Sequence, residues 1–232
     1  MKYHIITIFP NIFDSYLNES IIGRAIKNKI ISVSFYNPRD FVKDKKKNGY
    51  KQIDDKPYGG GPGMVMKPEP ILKAVQNALR KIKSKKAKVL IVNFIPSAEK
   101  FTTTIAKKVS KKYTDIVLIC GRYEGIDARV DKILKTKKIS IGDFVVTGGE
   151  LPAMIFIDSV SRQIHGVLGK YESLEEERVS SSEVYSKPEI LKYSFVKSKT
   201  NDKKANKTYR VPKVLLSGDH KKIELWKKSL KH

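Results

Sequence analysis

The chain has 232 residues, 40% of them hydrophobic, which suits one large domain or one domain with a small appendage and excludes a chain disordered throughout. Its 47 basic and 24 acidic residues leave a net charge of +23, which points first to nucleic acid, second to an anionic membrane surface and third to a merely lysine-rich solvated surface. Cys120 is the only cysteine, the N-terminus is too interrupted for a secretion signal, and no apolar run reaches transmembrane length, so the expectation is a soluble cytoplasmic protein with no internal disulfide.

Tyr3–Pro10 is an apolar run closed by proline and predicts a buried strand. Ile21, Ile22, Ala25, Ile26 and Ile30 recur at helical spacing over Asn18–Ile30, and Ile31–Pro38 alternates like a strand. A long polar, glycine-rich stretch follows, KDKKKNGYKQIDDKPYGGGPG, of a length that marks function or disorder. Pro68–Ile82 predicts an amphipathic helix with prolines near its start, where they are tolerated. Beyond it KVLIVNFIP, DIVLICG and ISIGDFVV read as strands, and EKFTTTIAKKVSKK, DARVDKILK and LPAMIFIDSVSRQI as helices. Short, wholly apolar strands alternating with helices predict an α/β domain with a mainly parallel sheet covered on both faces, ending near Gly169. YESLEEERVSSSEVYSKPE then predicts a polar linker, and the basic remainder ends in a short helix carrying Trp226, the only tryptophan.

Four stretches carry candidate chemistry. Lys56–Met64, KPYGGGPGM, invites a phosphate-cradle reading, but no lysine–hydroxyl pair follows its glycines. The last glycine of a G-x-G-x-x-G pattern falls on Met64 or Met66, and Pro62 removes an N–H, which together disfavour a nucleotide hydrolase. What remains is a surface turn, or a flat loop over which a large ligand passes closely. ICGRYEGIDARV (Ile119–Val130) runs from an apolar strand into Gly121, Arg122, Tyr123, Glu124 and Gly125 and then a helix capped by Asp127, a ligand position in parallel sheets where Glu124 can face a cation. The alternative there is a capped turn with surface charges. Ile139–Met154 repeats the arrangement with Gly142 and Asp143; Thr147 and Glu150 have capping-box spacing, and the Gly148–Gly149 pair suggests backbone pressed against a ligand. Asn93–Lys100, turning at Pro96, is a third strand-to-helix loop, and three such loops can line one pocket. Arg162 and the linker glutamates are either an electrostatic and general-base pair or ordinary surface charges.

TIFPNIF, YGGGPGM, GRYEGID, SIGDFVVTGGELPAM, GVLGK, VPKVLLSGDH and IELWK, in this order along nearly the whole chain, resemble the TrmD family of bacterial tRNA (guanine-N1)-methyltransferases, of the SPOUT superfamily. The resemblance implies a SPOUT fold whose C-terminal part is tied into a deep trefoil knot, with a small helical C-terminal domain. It implies a catalytic domain at 1–169, a linker at 170–186 and a basic tRNA-binding domain at 187–232. It implies S-adenosylmethionine held by Ile95, Pro96 and Ser97, by Gly121, Tyr123, Glu124 and Gly125, and by Ser140, Ile141, Gly142, Asp143, Phe144, Val145, Val146, Gly148, Gly149 and Pro152. The methyl goes to N1 of guanine 37 in a tRNA with guanine 36, at the interface of a homodimer. The arginine of the family pattern falls on Arg162, and counting on from it places the general base at Glu177 where members carry aspartate, with Glu175, Glu176 and Glu183 as alternatives. Family members need magnesium, and no compact carboxylate cluster marks a site for it. PSAEK departs from the family's usual turn, so Ser97 and Ala98 contribute backbone more than side chain, and Ser194–Tyr209 looks like a basic insertion that grips tRNA or is simply solvated. The KPYGGGPGM glycines then read as clearance for a second subunit and a tRNA nucleotide. A non-catalytic RNA-binding module of the same fold is the competing reading.

Overall fold

The computed structural model describes residues 1–43, 49–169, 183–193 and 207–230. The chain divides into two compact units, Met1–Tyr171 and Glu172–His232. In chain order the first unit contains β1 (Lys2–Ile6), a 3-10 turn (Pro10–Phe13), α1 (Asp14–Leu17), α2 (Ser20–Lys27), β2 (Ser32–Tyr36) and a second 3-10 turn (Pro38–Phe41). There follow β3 (Asp54–Asp55), β4 (Val65–Met66), α3 (Pro68–Lys81), β5 (Val89–Phe94), α4 (Thr103–Lys112), β6 (Asp115–Ile119), α5 (Ala128–Leu134), β7 (Lys137–Ile139) and α6 (Glu150–Ser161).

Five of these strands form one sheet in the order β2-β1-β6-β5-β7, every pair parallel. Successive side chains of a strand point to opposite faces. Tyr3 and Ile5 of β1, with Ile116 and Leu118 of β6, accordingly pack against α2, α4 and α6, whereas Ile6, Val117 and Ile119 pack against α3 and α5. Burial on both faces is why these strands are wholly apolar rather than alternating. The register pairs Ile6 and Asn93 with Ile119, and Phe94 with Ile139, so β1, β6, β5 and β7 end level on one edge. The loops leaving that edge build the site.

Two local expectations are corrected. The strand expected over ISIGDFVV ends at Ile139, because Gly142 takes φ +154° and the Ser140 hydroxyl bonds the Gly142 backbone, closing a turn that leaves the sheet. The Thr147–Glu150 capping box does not form. Gly149 is the N-cap of α6 with no side-chain cap, and Glu150 turns inward, 1% exposed.

The KPYGGGPGM stretch joins β3 to β4, which pair antiparallel. Gly59, Gly60, Gly61 and Gly63 all have φ between +80° and +109°, so backbone conformation already requires glycine there. The loop is strapped to the turn after β6: Glu124 N–H donates to Met64 O (3.0 Å), Met66 N–H to Gly125 O (2.9 Å) and Asp127 N–H to Met66 O (3.1 Å). The second unit holds an antiparallel hairpin, β8 (Ile190–Tyr193) with β9 (Lys207–Arg210), and two helices, α7 (Lys213–Leu216) and α8 (His220–Ser229). Asp219 caps α8 by accepting from Lys222 N–H at 3.2 Å, and Trp226 lies 6.4 Å from the Tyr185 ring. The hairpin adds to the helices expected there.

Candidate active site

Three loops at the carboxyl edge of the sheet enclose a cavity of about 450 Å³. They follow β5, β6 and β7, the adjacent strands whose ends the register brings level. From the first come Ile95 and Pro96; from the second Gly121, Tyr123, Glu124 and Gly125; from the third Ser140, Ile141, Phe144, Val145, Val146, Gly148 and Gly149, with Pro152 from α6. These are sequence-predicted positions brought to one wall. Ser97, Gly142 and Asp143 do not line it: Asp143 pairs with Lys100 outside, and Gly142 serves the turn. The loops are tied to each other by backbone hydrogen bonds, Ile95 N–H to Ile139 O at 3.0 Å, Phe101 N–H to Ser140 O at 2.7 Å and Gly149 N–H to Gly121 O at 2.9 Å.

Phe144 and Val145 are 55% and 80% exposed, so the third loop contributes large apolar groups to the cavity and the surface rather than to the core. Tyr123 holds φ +60°, a left-handed conformation costly for a residue with a side chain, at the mouth of the cavity. Gly148 and Gly149 are explained by the chain itself. A Cβ on Gly148 would stand 2.4 Å from Arg122 Nε, and one on Gly149 would stand 2.6 Å from Cys120 Cα. The close approach expected of a ligand is made here by the loop after β6.

Arg122, read in the sequence as part of the loop after β6 but not among the donor contacts, also lines the cavity. Its Nε lies 2.9 Å from Glu150 Oε2, at an angle too bent for a hydrogen bond, so the contact is electrostatic. Glu150 Oε1 accepts from the Thr7 hydroxyl at 2.8 Å, the Arg122 guanidinium stacks 4.8 Å from the Phe9 ring, and its Nη1 donates to Thr147 O at 3.3 Å. One ion pair thereby binds the loops after β1, β6 and β7. Burial pushes the neighbouring Cys120 thiol well above its ordinary pKa, and the Glu150 charge adds to the shift. Asp131, which sequence reasoning missed, accepts from Asn93 Nδ2 at 2.9 Å and pairs with Lys138 at 3.3 Å; all three line the cavity. The signal for Arg122 was a charged residue just past a strand end, which any surface turn shares, and that for Asp131 an acidic residue in the first turn of α5, which any helix shares.

Arg162 is the C-cap of α6, half-buried, and its Nε is buried without a hydrogen-bond partner among the described residues. Glu177, Glu175 and Glu176 lie outside the described residues; Glu183 accepts from the Tyr185 hydroxyl at 2.6 Å. No group of three or more potential metal-ligating side chains occurs among the described residues, and no described helix is long and apolar enough to cross a membrane.

A parallel sheet with helices on both faces and a largely apolar cavity at its carboxyl edge defines an α/β ligand-binding protein. The chain belongs to the family described as tRNA (Guanine-1)-methyltransferase TrmD, whose model matches residues 1–232. It is 44% identical over 228 residues to the tRNA (guanine-N(1)-)-methyltransferase of Clostridioides difficile (strain 630), covering 98% of this chain and 91% of that one. It is 43% identical to that of Carboxydothermus hydrogenoformans, covering 98% and 81%. The crystal structure of tRNA (m1G37) methyltransferase from Aquifex aeolicus superposes with a TM-score of 0.72 at 37% identity, covering 98% of this chain and 87% of that one.

Proposed function

We propose that the protein transfers a methyl group from S-adenosylmethionine to N1 of guanine 37 of tRNA, and that the cavity at the carboxyl edge is the donor site. The observation that carries this reading is the convergence of three strand-end loops on one cavity of about 450 Å³ in a chain of this family. The residues fit the donor. The volume lies in the range of small-molecule sites, the wall combines apolar side chains with glycine-rich backbone, and few charges point in. When bound, S-adenosylmethionine supplies an electrophilic methyl on a sulfonium. The chain's residues then hold that methyl in line with the base, which is chiefly a matter of alignment.

Guanine N1 carries a proton, and its loss builds negative charge on O6. Arg162, whose buried Nε has no hydrogen-bond partner among the described residues, is assigned to stabilise O6. Glu177 is assigned to accept the proton, with Glu175, Glu176 and Glu183 as alternatives. Residues 170–186 then serve as a linker and 187–232 as a tRNA-binding unit. A homodimer is supported by exposed apolar groups on neighbouring elements, Phe9, Ile12 and Tyr16 beside Leu151 and Ile155 of α6. The trefoil knot and the guanine 36 preference belong to this reading through the family. Incubating the protein with donor and a guanine-37 transcript, then mapping the methyl, tests it; no N1-methylguanine beside a working positive control overturns it. Glu177→Gln should lose most turnover with donor binding near normal. A fully active Glu177→Gln beside an inactive Glu176→Gln would move the base by one position.

A further inference from the structure

Four charged side chains line the cavity: Arg122, Lys138, Glu124 and Asp131. Lys138 is paired with Asp131 at 3.3 Å. Glu124 has no ion-pair partner among the described residues. Taken alone, this wall is neutral, and Arg122 would cancel Glu124 as seen by a bound cation. Glu150 changes that balance. It lies behind the wall, 1% exposed, with its Oε2 2.9 Å from Arg122 Nε. Buried at that distance, its charge neutralises Arg122 and is little screened by solvent or salt. The cavity therefore presents a net negative charge, and Glu124 is its source.

We infer that Glu150 is a specificity-determining residue: by neutralising Arg122 from beneath, it lets the cavity favour a cationic sulfonium over the neutral thioether of the same shape. The inference rests on the donor-site reading above. It assigns Glu150 an electrostatic task separate from holding the loops. A purely structural role would change affinity for both ligands alike. An electrostatic one changes their ratio. For an enzyme that releases a thioether product, this bias limits product inhibition.

Glu150→Gln removes the charge and keeps the shape. The amide oxygen can turn to Arg122, and the nitrogen can donate to the Thr7 hydroxyl, which already accepts from Phe9 N–H at 3.0 Å. The experiment measures binding of S-adenosylmethionine and S-adenosylhomocysteine to the full chain by calorimetry. Glu150→Gln should lower the sulfonium-to-thioether affinity ratio about tenfold, with thioether binding retained as proof of an intact pocket. Arg122→Met, which leaves the Glu150 charge without its partner, should move the ratio the opposite way. The double variant should return it toward wild type. The two single variants protect the test against a folding failure in either, since they err in opposite directions. A ratio unchanged within twofold in the variants that fold overturns the inference and leaves the donor-site reading standing. A wild-type chain that binds neither ligand overturns both.

Discussion

Gly149 is the residue at which the fold of the site is least forgiving. An added Cβ would meet backbone, Cys120 Cα at 2.6 Å and Gly121 N at 2.9 Å, and backbone cannot turn aside as a side chain can. Gly149→Ala therefore forces the start of α6 away from the loop after β6, stretching the Gly149 N–H to Gly121 O bond of 2.9 Å. Overpacking of this kind costs about 1–3 kcal/mol. For a chain of this size each kcal/mol lowers the melting temperature by roughly 2–4 °C. The expected outcome is a lower melting temperature together with weakened donor binding. Gly169→Ala is the control, because nothing lies within 4 Å of its added Cβ and its φ is not left-handed. Equal effects at the two glycines would show that the close approach at Gly149 is not what sets the site.

Helix α3 shows what could be read at the scale of the element, and the segment after β7 shows what could not. Ile71, Ala74, Val75 and Ala78 recur at helical spacing and, with Pro70, are the residues α3 buries, because a helix packed on a sheet has one apolar face and solvent on the other. Ile139–Val146 carries an equally apolar pattern and is mostly loop. An apolar residue looks the same in sequence whether it meets a neighbouring strand or lines a cavity, so the run was legible as apolar but not as a strand or a wall. The three strand-end loops were legible because glycines, or Pro96 in the first of them, interrupt apolar runs there. Arg122 and Glu150 were not legible as partners, because 28 positions separate them and only the parallel register brings their loops together. Capping gives a direct test of this difference. Thr102 accepts from Ile105 N–H at 3.3 Å at the start of α4, whereas α6 has no side-chain cap. Thr102→Ala should cost about 1 kcal/mol in chemical denaturation, the usual value of such a cap. Thr147→Ala should cost only a few tenths of that, on the order of the scatter for uncapped positions. A full capping penalty at Thr147 would restore the capping box that the sequence spacing suggested.

At the scale of the whole molecule, the net charge of +23 is the property that most constrains how the chain meets a tRNA. Each phosphate neutralised by a lysine or arginine releases condensed counterions, so affinity falls with salt along a log–log slope of about −0.7 to −0.9 per contact. A steep slope is thus expected of this chain, and the question is which lysines set it. Residues 194–206, outside the described residues, separate β8 from β9 and carry Lys197, Lys199, Lys203 and Lys204. The strands they join pair in register from Ile190 with Arg210 to Tyr193 with Lys207, an arrangement that a two-residue Asn-Gly turn can also close. Replacing 194–206 by such a turn removes four lysines and leaves every residue that lines the donor cavity in place. If those lysines lie on phosphates, the slope should shrink by about 3 and tRNA affinity at physiological salt should fall in proportion, with donor affinity unchanged. Filter binding across a salt series reads the slope, and calorimetry reads the donor. An unchanged slope would make 194–206 a solvated loop and move the phosphate contacts to the remaining basic surface. A changed donor affinity would instead show that the replacement disturbed the first unit.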